Sequence, residues 1–174
     1  DGSDIIVGDL SADTTTDSVT DLAMTVTASA SGTTSGADVS SVSLGNIDNQ
    51  YGSITANLSG AENVDLDVLT AVDVTVTRAG AGDTDIEDIL ASGDVTVTLT
   101  GSGTIDIGET GTPVTVTGDF TVAGGTHTGA IDIDTDSTGN VTITTGAGAD
   151  TIVADGATAS GKTHTINTGG GADD

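Results

Sequence analysis

Thr145-Gly146-Ala147-Gly148-Ala149-Asp150-Thr151-Ile152-Val153 sets two glycines, an aspartate and an isoleucine at alternate positions. This spacing suits a cation site. Gly146 and Gly148 let the backbone turn tightly at positive φ, with carbonyls aimed inward. The Asp150 carboxylate joins those oxygens, a ligand set that suits a hard ion such as Ca²⁺. Ile152 then starts a strand and points into a core. The pattern recurs at both ends of the chain. Thr168 to Asp174 repeats it with Gly169, Gly171, Asp173 and Asp174, and stops before the apolar residue. Asp1-Gly2-Ser3-Asp4-Ile5-Ile6-Val7 carries Asp1, Asp4 and the apolar strand but lacks the first glycines.

These residues resemble the nonapeptide G-G-x-G-x-D-x-U-x, with U a large apolar residue, of the RTX (repeats-in-toxin) calcium-binding proteins. The likeness extends more loosely to RTX-bearing surface-layer proteins and large adhesins of bacteria. It rests on the last thirty or so residues and the first seven; the middle matches in composition and strand rhythm only. The resemblance implies export of an unfolded chain into a calcium-rich medium, folding on Ca²⁺, and an extracellular or cell-surface place of work.

Other candidate chemistry is thinner. Asp134, Asp136 and Gly139 fit the start of the loop pattern D-x-[DN]-x-[DN]-G, but Thr138 stands where a third acid should be and no closing glutamate follows. An acidic β-turn explains them equally well. His127 and His164 each sit in T-H-T, far from another His or Cys, and read as strand histidines rather than zinc ligands. No serine lies in G-x-S-x-G, and no histidine is near enough in sequence to support a triad. Asp65 and Asp67 mimic a glycosidase pair. However, the only aromatic residues are Tyr51 and Phe120 and the only bases Arg78 and Lys162, so little could hold a sugar. Asn57-Leu58-Ser59 and Asn140-Val141-Thr142 are glycosylation sequons. The chain is therefore expected not to be an enzyme.

Composition narrows the class. Among 174 residues, 27 are acidic and 2 are Lys or Arg, a formal net charge of −25. Nearly all the acid is aspartate, a turn residue and compact calcium ligand. No basic patch exists to meet phosphates, so nucleic acid is excluded as a partner, and an anionic membrane surface with it. No apolar run is long enough to span a membrane, no signal peptide is recognisable, and the chain reads as a segment of a longer protein. Cysteine is absent, which removes disulfides and thiol chemistry. The apolar residues are mostly Val, Ile and Ala, which fill a thin solenoid better than a thick globule.

Along the chain, short period-2 strands alternate with Gly, Asp, Ser and Thr. Residues 1–94 read as the less regular part, with longer polar gaps. In residues 95–174 the rhythm tightens: Val95/Val97/Leu99, Ile105/Ile107, Val114/Val116, Phe120/Val122, Ile131/Ile133 and Val141/Ile143 start about every ten residues. Between them, 79–93 predicts a short helix, because Ile86, Ile89 and Leu90 fall at i, i+3, i+4. Gly80-Ala81-Gly82-Asp83 reads as a simple loop. A β-sandwich would also give short alternating strands. The motifs, the small core residues and the brevity of the strands favour an all-β parallel solenoid (β-helix or β-roll) with Gly/Asp-rich calcium turns and rungs of about 20 residues.

Three functions follow as expectations. The first is a non-catalytic, calcium-stabilised structural segment of a surface layer, adhesin stalk or filament. Its partners would be copies of itself, stacked end to end, with Asp1, Asp4, Asp173 and Asp174 facing across a cation-bridged seam; cell-surface polysaccharide is a further candidate partner. The second is an ice- or surface-binding solenoid, from the pairs Thr25/Thr27, Thr75/Thr77, Thr96/Thr98, Thr115/Thr117 and Thr142/Thr144. The uneven strand spacing counts against the regular array it would need. The third is the repeat region of a secreted RTX enzyme or a carbohydrate-active solenoid.

Overall fold

A computed structural model of the chain describes residues 5–8, 10–11, 22–30, 41–61, 63–109, 111–156 and 160–174. Asp1 and Asp4, and with them the proposed seam, lie outside the described residues. The fold is a parallel β-solenoid of about six turns, with no helix among the described residues. Its strands are β1 (Ile5–Val7), β2 (Leu10–Ser11), β3 (Leu22–Ala30), β4 (Ser41–Leu44), β5 (Ile47–Gly60), β6 (Asn63–Gly80), β7 (Thr84–Ala91) and β8 (Val95–Gly101). They continue as β9 (Ile105–Ile107), β10 (Thr115–Val116), β11 (Phe120–His127), β12 (Ile131–Thr135), β13 (Val141–Thr144), β14 (Thr151–Ala154) and β15 (His164–Asn167).

A single strand shows how a rung is built. β6 turns two corners, so its parts lie on three faces. Val64 to Leu66 pair with Thr84 to Ile86, Leu69 to Ala71 pair with Ile89 to Ala91, and Val74 to Gly80 pair with β8. On each face alternate residues point inward and stack on like residues of the next rung. One inner column runs Ile54, Val74, Val95, Phe120, Val141, and a second Leu44, Leu66, Ile86, Ile107, Ile133. All ten are buried. β-branched side chains suit this pleated, closely stacked interior. Each fully buried Val or Ile contributes about 1.5–3 kcal/mol relative to exposure.

Residues 79–93 form no helix. The segment contains β7, whose Ile86 and Ile89 are both buried while Leu90 is 41% exposed. The helix-like spacing comes from a corner. Asp88 lies between two faces and resets the alternation, so inward residues fall three apart across it. Gly80 to Asp83 is one more rung corner.

Val74–Gly80 stacks on Val95–Gly101 in unbroken register. The corner acids before the long face step by 21 residues from Asp73 to Asp94, 25 from Asp94 to Asp119 and 21 from Asp119 to Asn140. The long step contains the turn with positive-φ Gly108 and Gly111.

Candidate cation-binding corner

The glycines of the nonapeptide belong to a corner that the whole stack shares. Gly60, Gly80, Gly101, His127, Gly146 and Gly169 follow one another up it, and Gly82, Gly103, Gly129, Gly148 and Gly171 form a second column two residues on. Each glycine lies against the backbone of the rung beneath. A Cβ on Gly146 would stand 1.8 Å from the His127 oxygen, on Gly148 2.1 Å from Gly129 O, on Gly169 2.0 Å from Gly146 O and on Gly171 1.8 Å from Gly148 O. Close stacking is thus what demands glycine here. The first-column carbonyls run up the stack: Gly146 O accepts from Gly170 N at 2.9 Å, as Gly80 O accepts from Ser102 N at 3.0 Å. They do not simply converge inward as the sequence suggested.

Asp150 is the residue that sets the upper corner apart. It follows Ala149 where the lower rungs carry inward apolar or neutral residues, continuing the column Val64, Thr84, Ile105, Ile131. It is 1% exposed. Its Oδ1 accepts from Ile131 N at 2.9 Å, while its Oδ2 is buried with no hydrogen-bond partner. Its own N–H donates to Asp173 Oδ1 at 3.2 Å, and its carbonyl accepts from Asp174 N at 2.9 Å. The structure therefore brings Asp150, Asp173 and Asp174 together, with Gly146, Gly148, Gly169 and Gly171 forming the corner around them.

Lower on the same corner a side chain supplies the cation. Arg78, 1% exposed, continues an inward column between Leu58 and Leu99. Its Nη2 donates to Gly82 O at 2.7 Å, and its Nη1 to Gly60 O and Ala79 O, both at 3.4 Å. Two rungs further up, buried His127 places Nε2 2.7 Å from Gly103 O, so it is a packed strand histidine. The sequence reading missed the role of Arg78. The alternation Val74, Val76, Arg78 carried the signal, since it places all three on the inner side.

Asp134 and Asp136 do not join this corner. Asp134 stands on β12 opposite Val153, and Asp136 follows with its N–H on Val114 O at 2.9 Å. Thr135 and Ser137, between and after them, are buried and bonded to each other at 2.7 Å. The backbone is extended through this segment rather than wrapped around an ion. Gly139 is a stacking glycine: its Cβ would lie 1.6 Å from Gly118 O.

A second corner uses Asp and Asn as rungs of a ladder. Asp73 Oδ1 accepts from Asp94 N at 2.8 Å, Asp94 Oδ1 from Asp119 N at 2.8 Å, Asp119 Oδ1 from Asn140 N at 3.2 Å and Asn140 Oδ1 from Thr163 N at 3.2 Å. The Asn140 N–H, with the Asn140 side chain and Lys162 behind it, holds the Asp119 carboxyl below its usual range. The sequence signal was Gly93-Asp94-Val95, Gly118-Asp119-Phe120 and Gly139-Asn140-Val141, a recurring glycine, Asx and apolar residue.

The remaining acids crowd another face. Asp65, Asp85, Asp106 and Asp132 are stacked in register and point outward. Desolvation raises the pKa of Asp85, with Asp65 and Glu109 adding to it; it also raises that of Asp106, with Asp132 and Asp85 adding to it. Asp134 is raised in the same way, with Asp155, Asp132 and Asp136 behind the desolvation. These are neighbouring carboxylates spread along a surface. Among the described residues no three His, Cys, Asp or Glu side chains converge as a metal cluster, so an ion at Asp150 would need backbone oxygens and water to complete its shell. Comparison with family models, with curated proteins and with solved structures finds no match for this chain.

Proposed function

We propose that the chain is a non-catalytic, calcium-stabilised structural segment of an extracellular surface assembly. The observation that carries this reading is the Asp150 carboxylate, buried with one oxygen unpartnered. An uncompensated buried charge costs several kcal/mol. Neither basic side chain answers it: Arg78 bonds the Gly60 and Gly82 carbonyls, and Lys162 reaches Asp119 at 3.5 Å. An oxygen-seeking divalent cation is the remaining compensation, and a carboxylate, carbonyls and water suit Ca²⁺. Asp150 and Asp173 would hold it, with carbonyl oxygens of the 146–150 and 169–174 corners. The RTX-like spacing of the same residues points the same way. Calcium at such a corner would add folding free energy to a core only a few side chains wide.

Extracellular placement follows from that dependence, since free calcium is abundant outside cells. Copies of the chain are the partners proposed. Ile166 and Val153 are uncovered at 43% and 38% on the last strands of the stack, and β14 and β15 end the order of paired strands there. A further rung or another copy would cover them and pair those edges. The acidic surface fits cation-bridged contact and repels nucleic acid.

The experiment is thermal unfolding in EDTA and in millimolar CaCl₂. Calcium should raise Tm, and Asp150→Asn should abolish the rise while leaving the protein folded. Equal Tm values in both media for the natural sequence would refute the reading.

A further inference from the structure

The stacking brings together an array that the sequence spacing hid. On the longest face, β3, β5, β6, β8, β11, β13 and β15 lie side by side. Thr25, Thr55, Thr75, Thr96, Thr121, Thr142 and Thr165 occupy one register position across all seven strands. Two residues on, a second column runs Thr27, Asn57, Thr77, Thr98, Ala123, Thr144 and Asn167. The register shifts fall between Asn49 and Ser53, before both columns, and between Ala123 and Thr126, just past the second column's Ala123. The pairing through both columns is therefore in register across all seven strands. Thr115 is not part of it, because it pairs with Leu90 on another face.

The first column points outward. Thr25, Thr75, Thr96, Thr142 and Thr165 are exposed, and Thr55 and Thr121 half-buried. Behind it, the alternate residues Val74, Val76, Val95, Val97, Val122, Val141 and Ile143 are buried, so the sheet beneath is anchored. The Asx ladder from Asp73 to Asn140 ties the near edge of this face rung by rung. None of the fourteen positions is charged, in a chain of net charge −25. The outward acids Asp65, Asp85, Asp106 and Asp132 lie on a different face. The only aromatics, Tyr51 and Phe120, are in neither column.

We infer that this threonine face binds ice. The two columns are uncharged on a strongly acidic chain, with the ladder acids Asp73, Asp94 and Asp119 confined to their near edge, and an uncharged pair of columns favours an uncharged partner. A grid repeating about every 4.8 Å between strands and about 6.7 Å between alternate residues selects a periodic one. Each threonine offers a hydroxyl that both donates and accepts, beside a methyl that cannot. Hydroxyls hold water at lattice-like spacing and methyls leave it no competing partner, so the ordered layer merges with a growing ice face. A sugar lattice would ask instead for aromatic stacking platforms, which this face lacks. Asn57, Ala123 and Asn167 interrupt the second column, so the continuous first column carries the contact.

The test uses the whole folded chain in calcium buffer. Thermal hysteresis and partition into a slowly grown ice hemisphere are read together with circular dichroism. The natural sequence should enter the ice and depress its growth temperature. Thr75→Tyr with Thr96→Tyr, at the centre of the array, should lower hysteresis several-fold at unchanged circular dichroism and Tm. Thr115→Tyr, off the face, should leave it unchanged. Should the centre pair fail to fold, Thr96→Val, which keeps the shape and removes the hydroxyl, replaces it and should lower hysteresis as well. Exclusion of the folded natural chain from ice overturns the inference, as does hysteresis that survives these changes. Retention on microcrystalline cellulose or chitin without retention in ice would reassign the face to a polysaccharide and overturn it too.

Discussion

The corner around Arg78 and the corner around Asp150 share a glycine-on-carbonyl contact and have opposite chemistry. Both stack glycine on a carbonyl at 1.8 Å from a would-be Cβ, Gly80 on Gly60 and Gly146 on His127. At the lower corner a guanidinium lies inside and bonds the carbonyls of Gly60, Ala79 and Gly82. At the upper corner a carboxylate lies inside and one of its oxygens meets nothing. The first corner carries its cation covalently. The second has none of its own, so the calcium proposed there would be an exchangeable one. The difference teaches that one glycine-stacked corner can enclose opposite charges on different rungs of a single solenoid.

The largest expected effect breaks the lower corner. Arg78→Met removes three donated hydrogen bonds; Gly60 O keeps Ala81 N at 3.2 Å, while Gly82 O is left facing an apolar side chain. Hydrogen bonds from a charged group at about 1.5–3 kcal/mol each predict a loss of about 3–5 kcal/mol. Urea unfolding should show the same loss in EDTA and in calcium, since no exchangeable ion is involved there.

Next come the shared glycines. Gly80→Ala and Gly146→Ala both push a methyl into backbone, and overpacking of this kind costs about 1–3 kcal/mol. Gly125→Ala is the control, because its Cβ would meet only the Thr144 methyl at 3.4 Å. Chemical unfolding should rank Gly80→Ala and Gly146→Ala well below Gly125→Ala. If only one corner responds, the two are not built alike.

Asp150→Asn sharpens the contrast directly. With calcium at about a hundred times its Kd, the natural chain should gain about 2.7 kcal/mol over EDTA. The variant should gain nothing. In EDTA it should equal or exceed the natural sequence, since it removes a buried charge. Calorimetric titration with CaCl₂ checks both arms.

The smallest effect concerns pH and the acidic face, measured in EDTA. Asp85, Asp106 and Asp134 have pKa values raised above the ordinary 3.8. The folded state thus binds their protons more tightly than the unfolded chain does, so stability rises as pH falls through their raised values toward 3.8. Asp119 acts in the opposite sense, and its contribution is lost as pH falls from about 3.8 through its lowered value. Lowering the pH through those raised values toward 3.8 should raise Tm, and Asp85→Asn with Asp106→Asn should flatten the response.

Much of the architecture was legible in residue order. Val95/Val97/Leu99 and the pairs after it declared strands with one buried side, and the 23-residue step from Asp150 to Asp173 gave the rung. Ile86 and Ile89 misled because a corner mimics helical spacing when alternation resets across it. Arg78 hid behind its charge, though its place after Val74 and Val76 marked it as inward. The pairs Thr25/Thr27, Thr75/Thr77, Thr96/Thr98 and Thr142/Thr144 were visible, but only register joins Thr25, Thr75, Thr96 and Thr142 with Thr55, Thr121 and Thr165 in one column and leaves Thr115 out. Steps of 21, 25 and 21 residues look irregular until the surplus is placed at corners.

The parallel pairing has a kinetic consequence. Side-chain to backbone contacts between successive rungs span only 18 to 27 residues, as in Arg78 with Gly60 and Thr128 with Gly101. No described pairing ties β3 to β15, so no long loop must close before the first rungs are rewarded. Assembly can start wherever two neighbouring turns first meet and then spread by adding one turn at a time. A chain delivered end first could wind up in the order in which it arrives, each finished turn serving as the template for the next. Rescue of a stalled molecule would require unwinding only its most recent turn.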